Sequence, residues 1–181
     1  MLVIDYKSRE LWDSNKEVLI TIPEQKLLLE HSLVSISRWE SKYKKSFLST
    51  KEKNIEETLY YIKCMNVSKK EIDDSVIESL SVKEQQLIND YINDSMTATV
   101  INKKNNKPSR DIITSEQIYC WMISMQIPFE CQKWHLARLL MLIDVCNETN
   151  APSKNKMSKN ERLAQYAKIN AERRAAMNSK G

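Results

Sequence analysis

From residue 32 to residue 147, apart from a stretch between about Asn93 and Ser109 where the pattern fails, apolar side chains return every three or four positions, the period at which a helix turns one face to a core. Leu33, Ile36, Trp39 and Tyr43 mark the first stripe, with Ser32 as its N-cap and an end expected near Phe47. Ser49-Thr50-Lys51-Glu52 reads as the start of a second helix whose inward face is Ile55, Leu59, Ile62 and Met65. Asp73 or Asp74 opens a short helix through Val76, Ile77 and Leu80, and Ser81-Val82-Lys83-Glu84 opens a longer one through Leu87, Ile88, Tyr91 and Ile92. Thr114-Ser115-Glu116-Gln117 begins a helix through Ile118, Trp121, Met122 and Met125, which Pro128 ends. From Phe129 to Cys146 the apolar positions cover more than one stripe, which predicts a single helix, central and buried on several sides.

The first thirty residues follow a different pattern. Val18-Leu19-Ile20-Thr21-Ile22 and Lys26-Leu27-Leu28-Leu29-Glu30 are short apolar runs separated by Pro23-Glu24-Gln25, and Leu2-Val3-Ile4 is a third such run. Together they predict a small antiparallel sheet or hairpin. Thr97-Ala98-Thr99-Val100-Ile101 has the composition of a further strand, and Asn102 to Pro108 reads as an exposed loop in which asparagine takes the turn conformations. Ala151-Pro152-Ser153-Lys154-Asn155-Lys156 is a polar linker, followed by an alanine-rich helix whose apolar residues, Leu163, Tyr166, Ala167, Ile169 and Met177, are sparse. The fold class is therefore mainly α, in three parts: a β element over 1–31 packed on the helical body, a helical domain over 32–150, and a basic linker and C-terminal helix over 151–181.

Composition changes this picture mainly through glycine. The chain has one, at position 181, so no internal turn or cap can use it. The glycine-rich phosphate loop, the dinucleotide fingerprint and the nucleophile elbow are all missing, which weighs against most nucleotide-dependent and hydrolytic chemistry. No apolar run is long enough to span a bilayer, and the amino terminus lacks the features of a secretory signal, so a soluble intracellular protein is expected. Cys64, Cys120, Cys131 and Cys146 lie within helical apolar patterns and read as buried free thiols. The net charge of +4 is uneven: beyond Pro152 eight basic residues face two acidic ones, which leaves residues 1–151 at −2.

Candidate chemistry is sparse. Cys131 and His135 are four residues apart, on one face if a helix spans them, but two further ligands would be needed, and neither a metal site nor a cysteine–histidine nucleophile is expected. Glu56-Glu57, Asp73-Asp74 and Asp90/Asp94 read as solvated helix faces. The basic tail, Lys154, Lys156, Lys159, Arg162, Lys168, Arg173 and Arg174, suits phosphates or an acidic protein surface, and with Tyr166 as its only aromatic the protein surface is preferred. Trp121, Met122, Met125, Phe129, Trp134 and Met141 are core residues or, where exposed, a surface adapted to varied helical partners.

Two blocks carry a resemblance. The first runs from His31-Ser32-Leu33-Val34-Ser35-Ile36-Ser37-Arg38-Trp39-Glu40 through Lys42-Tyr43-Lys44-Lys45 to Phe47-Leu48. The second contains Ile127-Pro128-Phe129-Glu130-Cys131-Gln132-Lys133-Trp134-His135-Leu136. Over nearly its whole length the chain resembles the tail assembly chaperones of tailed phages. That resemblance implies a non-enzymatic protein without cofactor or metal, acting in the host cytoplasm during assembly. It would coat the tape-measure protein, keep it soluble and help recruit tail-tube subunits, with homo-oligomers open and no membrane involved. The alternatives are a structural virion component of neck, connector or interior, and a nucleic-acid-binding protein acting through the basic tail.

Overall fold

In the computed structural model, which describes residues 1–13, 17–50, 52–101, 112–150 and 159–177, the chain divides into two compact units, Met1–Thr149 and Asn150–Gly181. The first unit begins with four strands, β1 (Leu2–Tyr6), β2 (Arg9–Asp13), β3 (Val18–Ile22) and β4 (Gln25–Leu29). They form two antiparallel ladders, β1 with β4 and β2 with β3. Tyr6 faces Gln25 at the end of one ladder and Arg9 faces Ile22 at the start of the other. Two residues intervene on each leg, so the register carries through without a slip. The whole is one long hairpin interrupted where Pro23, which has no N–H to donate, lies in its second leg. The strand at Arg9–Asp13 was not expected, because three of its five residues are charged.

The helices are α1 (Leu33–Tyr43), α2 (Ile55–Cys64), α3 (Asp74–Glu78), α4 (Val82–Asn93), α5 (Ser115–Ser124) and α6 (Leu136–Asn150), with a 3-10 turn at Phe129–Lys133 between the last two. Mainly α with a small N-terminal β element is therefore the architecture. Ser32 caps α1 by accepting from the Ser35 amide, and Ser81 with Glu84 and Thr114 with Gln117 form the expected boxes at α4 and α5. The core is continuous from the hairpin base to the helices: Tyr6, Leu27, Leu29, Leu33, Ile36, Trp39, Met65, Ile77, Ile118, Met122 and Leu139 are almost wholly buried.

Several expectations fail, each for a tertiary reason. Helix α1 stops at Tyr43 rather than near Phe47, because Lys44 turns left-handed at φ 55° and returns its amide to Glu40 O. Helix α2 is capped by Asn54 and Glu57, not by the Ser49–Glu52 pattern. Thr97–Ile101 forms no strand. The run from Phe129 to Cys146 is not one helix: Trp134 is extended (ψ 159°), and the chain restarts as α6. Nor is α6 buried on several sides, since only Leu136, Leu139 and Ile143 are fully covered. The loop at 102–108 and the linker at 151–156 lie outside the described residues.

Among the described residues, the left-handed backbone positions are Glu17, Lys44, Met96 and Gln126, none of them glycine; the asparagines expected to turn the 102–108 loop lie outside those residues. Among the helix starts, the α2 box is the cleanest to test. Its two bonds measure 2.7 Å (Glu57 N to Asn54 Oδ1) and 3.1 Å (Asn54 N to Glu57 Oε2). Asn54→Ala is expected to lower stability by about 1 kcal/mol, read in urea as a lower midpoint with an unchanged slope. A midpoint equal to that of the parent would mean the cap is not what starts the helix.

The second unit contains α7 (Lys159–Met177). Leu163 and Tyr166, three residues apart on this helix, are each 59% exposed.

Candidate functional site

The two sequence blocks that carry the resemblance meet in the body of the protein. His31 follows β4 and His135 precedes α6, and a two-residue bridge joins their backbones: Ser32 pairs with His135, and the Leu136 amide donates to His31 O at 2.8 Å. The two rings lie edge to face with centroids 5.0 Å apart. Tyr61 of α2 meets His31 Nδ1 at 2.5 Å, and His135 Nε2 meets Tyr91 O at the end of α4 at 2.9 Å. Four segments distant in sequence are thereby tied at one point.

Burial, and then the nearby His135, lower the pKa of His31 from its ordinary 6.5 to about 4. The neutral His31 Nδ1 shares a hydrogen bond with the Tyr61 hydroxyl, the donor being set by the imidazole tautomer, and the Tyr61 pKa is itself driven well above 10 by burial. Both partners are thus uncharged near neutral pH. His135 Nδ1 is buried with no hydrogen-bond partner among the described residues. This junction explains why the sequence turns from helix to extended backbone at Trp134, and it also removes the geometry proposed for Cys131 and His135. They do not share a helix face, since Cys131 sits in the 3-10 turn and His135 lies outside both elements. Among the described residues, no group of three or more His, Cys, Asp or Glu side chains could hold a metal.

The residues nominated for partner binding divide by burial. Met122 is 0% exposed and belongs to the core. Trp121, Met125, Trp134 and Met141 are half-buried, and Arg138 lies over the Trp134 ring at 4.4 Å. Phe129 is 53% exposed and in ring contact with Tyr119. Ile123, four residues beyond Tyr119 on α5, is 61% exposed. Tyr119 and Ile123 were missed by sequence reasoning, although their spacing is that of neighbours on one helix face. Tyr119 meets the Phe129 ring, and Ile123 lies one turn further along the same face of α5, so exposed apolar groups gather at the end of this helix.

Two concavities flank the α1–α2–α4 region. A groove of about 540 Å³ between α2 and α4 is lined by Ile55, Leu59, Ile62, Ile77, Ile88 and Ile92. A larger cleft of about 850 Å³ has mixed charge, with Arg38, Lys63, Lys69 and Lys133 beside Glu30 and Glu71. Lys63 is engaged by Asp74, and Arg38 reaches the carbonyls of Cys64 and Asn66 at the end of α2.

Buried acids provide the remaining polar structure. Glu40 is 7% exposed and accepts from the Phe47 amide at 2.8 Å and the Ser115 amide at 2.7 Å, the second at the first turn of α5. Glu57 is not on a solvated face: it is buried, and its hydrogen bond from Lys45 holds its carboxyl below the usual range. Of the four cysteines, all free, Cys64 and Cys131 are buried, Cys146 is half-buried and Cys120 is exposed, so the expectation of buried thiols fails at Cys120. Burial pushes the Cys64 thiol up to about 11, which keeps it protonated.

Of the basic residues nominated in the tail, Lys168 and Arg173 are exposed. Lys154 and Lys156 lie outside the described residues, as do the side chains of Lys159, Arg162 and Arg174. Among the described residues, no helix is long and apolar enough to cross a membrane. No protein-family model matches the chain, and neither curated proteins nor solved structures yield a match.

Proposed function

We propose that this chain is a tail assembly chaperone of a tailed phage, which binds the tape-measure protein in the host cytoplasm and helps recruit tail-tube subunits. The observation that supports it best is the apolar surface at the end of α5, where Ile123 and Phe129 are 61% and 53% exposed beside half-buried Tyr119. Apolar residues clustered on a surface favour association with another apolar surface. A long helical partner that must be kept from aggregating offers a matching stripe. The groove between α2 and α4 adds a second aliphatic concavity of the kind that accepts a helix.

The basic C-terminal helix takes a different role in this reading. Lys168 and Arg173, both exposed, would approach acidic partner surfaces, and their contribution should weaken with salt. The role is one of binding, without catalysis or cofactor.

Co-expression with the tape-measure protein from the same phage genome is the test. The tape measure is expected to be soluble and to co-purify only when this chain is present. Phe129→Asp with Ile123→Asp should reduce the recovered complex about tenfold while leaving the melting temperature of the chaperone close to its parent's, because both side chains are surface-exposed. A tape measure that is equally soluble alone would end this reading.

A further inference from the structure

We propose that β3 pairs edge to edge with β3 of a second copy of this chain, joining two hairpins into one four-stranded antiparallel sheet. The two legs of the hairpin are treated differently by the rest of the protein. On the second leg, the outer edge of β4 is already paired at its far end: Glu30 N donates to Met65 O at 2.8 Å and Val67 N donates to Leu28 O at 3.0 Å. That edge continues along β3, where among the described residues no strand other than β2 pairs with it. The open stretch therefore prolongs an edge that the fold already uses for strand addition.

The two outer strands also differ in protection. Strand β2 carries Arg9, Glu10 and Asp13, charges of the kind that keep sheet edges apart, and Arg9 is occupied with Glu84 at 2.7 Å. Strand β3 is Val-Leu-Ile-Thr-Ile, with no charge and no proline within it. Val18 and Leu19 are 47% and 58% exposed, and Trp12, opposite Leu19, is 62% exposed. An isolated pair of strands is marginal in water, and a third and fourth strand would give this arm the width it lacks.

A second copy fits this edge because the strand complements itself. Antiparallel pairing about a two-fold axis at Ile20 sets Ile20 against Ile20, Val18 against Ile22 and Leu19 against Thr21. One face then holds Val18, Ile20 and Ile22 of both copies, continuous with Leu11 on β2, which faces Ile20. Such an interface is isologous and closes at two copies, so it makes a dimer rather than a filament. This proposal does not depend on the chaperone reading, because it concerns a surface remote from Phe129 in sequence and needs no foreign partner.

Cross-linking in the full chain tests both the pairing and its register. In a background of Cys120→Ser and Cys146→Ser, which removes the two thiols that are not buried, Ile20→Cys places one thiol on each side of the axis. Mild oxidation should give a covalent dimer at least about tenfold faster than Leu19→Cys or Thr21→Cys, whose thiols are offset along the strands. Ile20→Asp and Ile20→Lys should each be monomeric and should dimerise when mixed, since like charges oppose each other at the axis and unlike charges attract. Light scattering of the unmodified chain should report twice the monomer mass on concentration. A mass that stays monomeric, equal cross-linking at the three positions, or no dimer on mixing would each overturn the proposal.

Discussion

Glu40→Ala is expected to lower the stability of the body by on the order of 3–4 kcal/mol. Its carboxylate is the acceptor for two buried amides, Phe47 N and Ser115 N, and the second belongs to the start of α5. A carboxylate there answers both the unpaired N–H groups and the positive end of the helix dipole. Removing it leaves both amides without an acceptor in the interior. Glu40→Gln should recover about half of the loss, because an amide side chain has one acceptor oxygen and turns a donor toward the second N–H. Urea unfolding of the three proteins decides it. If Gln matches Glu, charge and two-fold acceptance do not matter at this position.

Acidification supplies the second large effect. His31 has a folded-state pKa of about 4 against an ordinary value of 6.5, so between these values the unfolded chain binds a proton that the folded chain does not. Stability from this group is complete above pH 6.5 and is lost as pH falls toward 4, amounting to about 3 kcal/mol. The window separates it from the acids. The carboxyls of Glu57, Glu84 and Glu116 are held below their ordinary value, so their contributions fade only at lower pH. Unfolding free energies measured from pH 7 to pH 4.5 should therefore slope steeply in the parent and much less in His31→Asn. Parallel curves would show that the slope arises elsewhere.

Helix starts were the most legible part of the fold. Ser32, Ser81 and Thr114 begin helices because a hydroxyl at that position satisfies a local amide, an interaction that needs only a few neighbouring residues. The Ser49–Glu52 pattern has the same local merit, yet α2 begins at Asn54. Its box residue Glu57 also receives Lys45, and Trp39 Nε1 donates to Glu57 O at 2.9 Å. Contacts with α1 choose between two starts that the sequence leaves nearly equal. The same holds at Trp134, where a strongly helical pattern is interrupted because the Leu136 amide is claimed by His31 O.

The candidate site was legible in part. Phe129 was named and is exposed, whereas Met122 has the same composition-level appeal and is wholly buried. Periodicity finds a face but does not say which face is covered. Glu40 was unrecognisable as a buried acid, since its amide partner Ser115 lies 75 residues away. The strand at Arg9–Asp13 was hidden by its charges, and only the register of its partner reveals it.

The ties at His31 and Glu40 also bear on the order in which the chain is made. The partners that close the first block, Ser115, His135 and the Leu136 amide, are all translated long after it. A nascent chain ending before residue 115 contains the residues of its local helix caps, but both His31 and Glu40 still lack their later counterparts. Because domains emerging from the ribosome fold as units, the body should assemble late and in one step. Until then Leu33, Ile36 and Trp39, which the finished protein hides completely, stand exposed on the growing polypeptide.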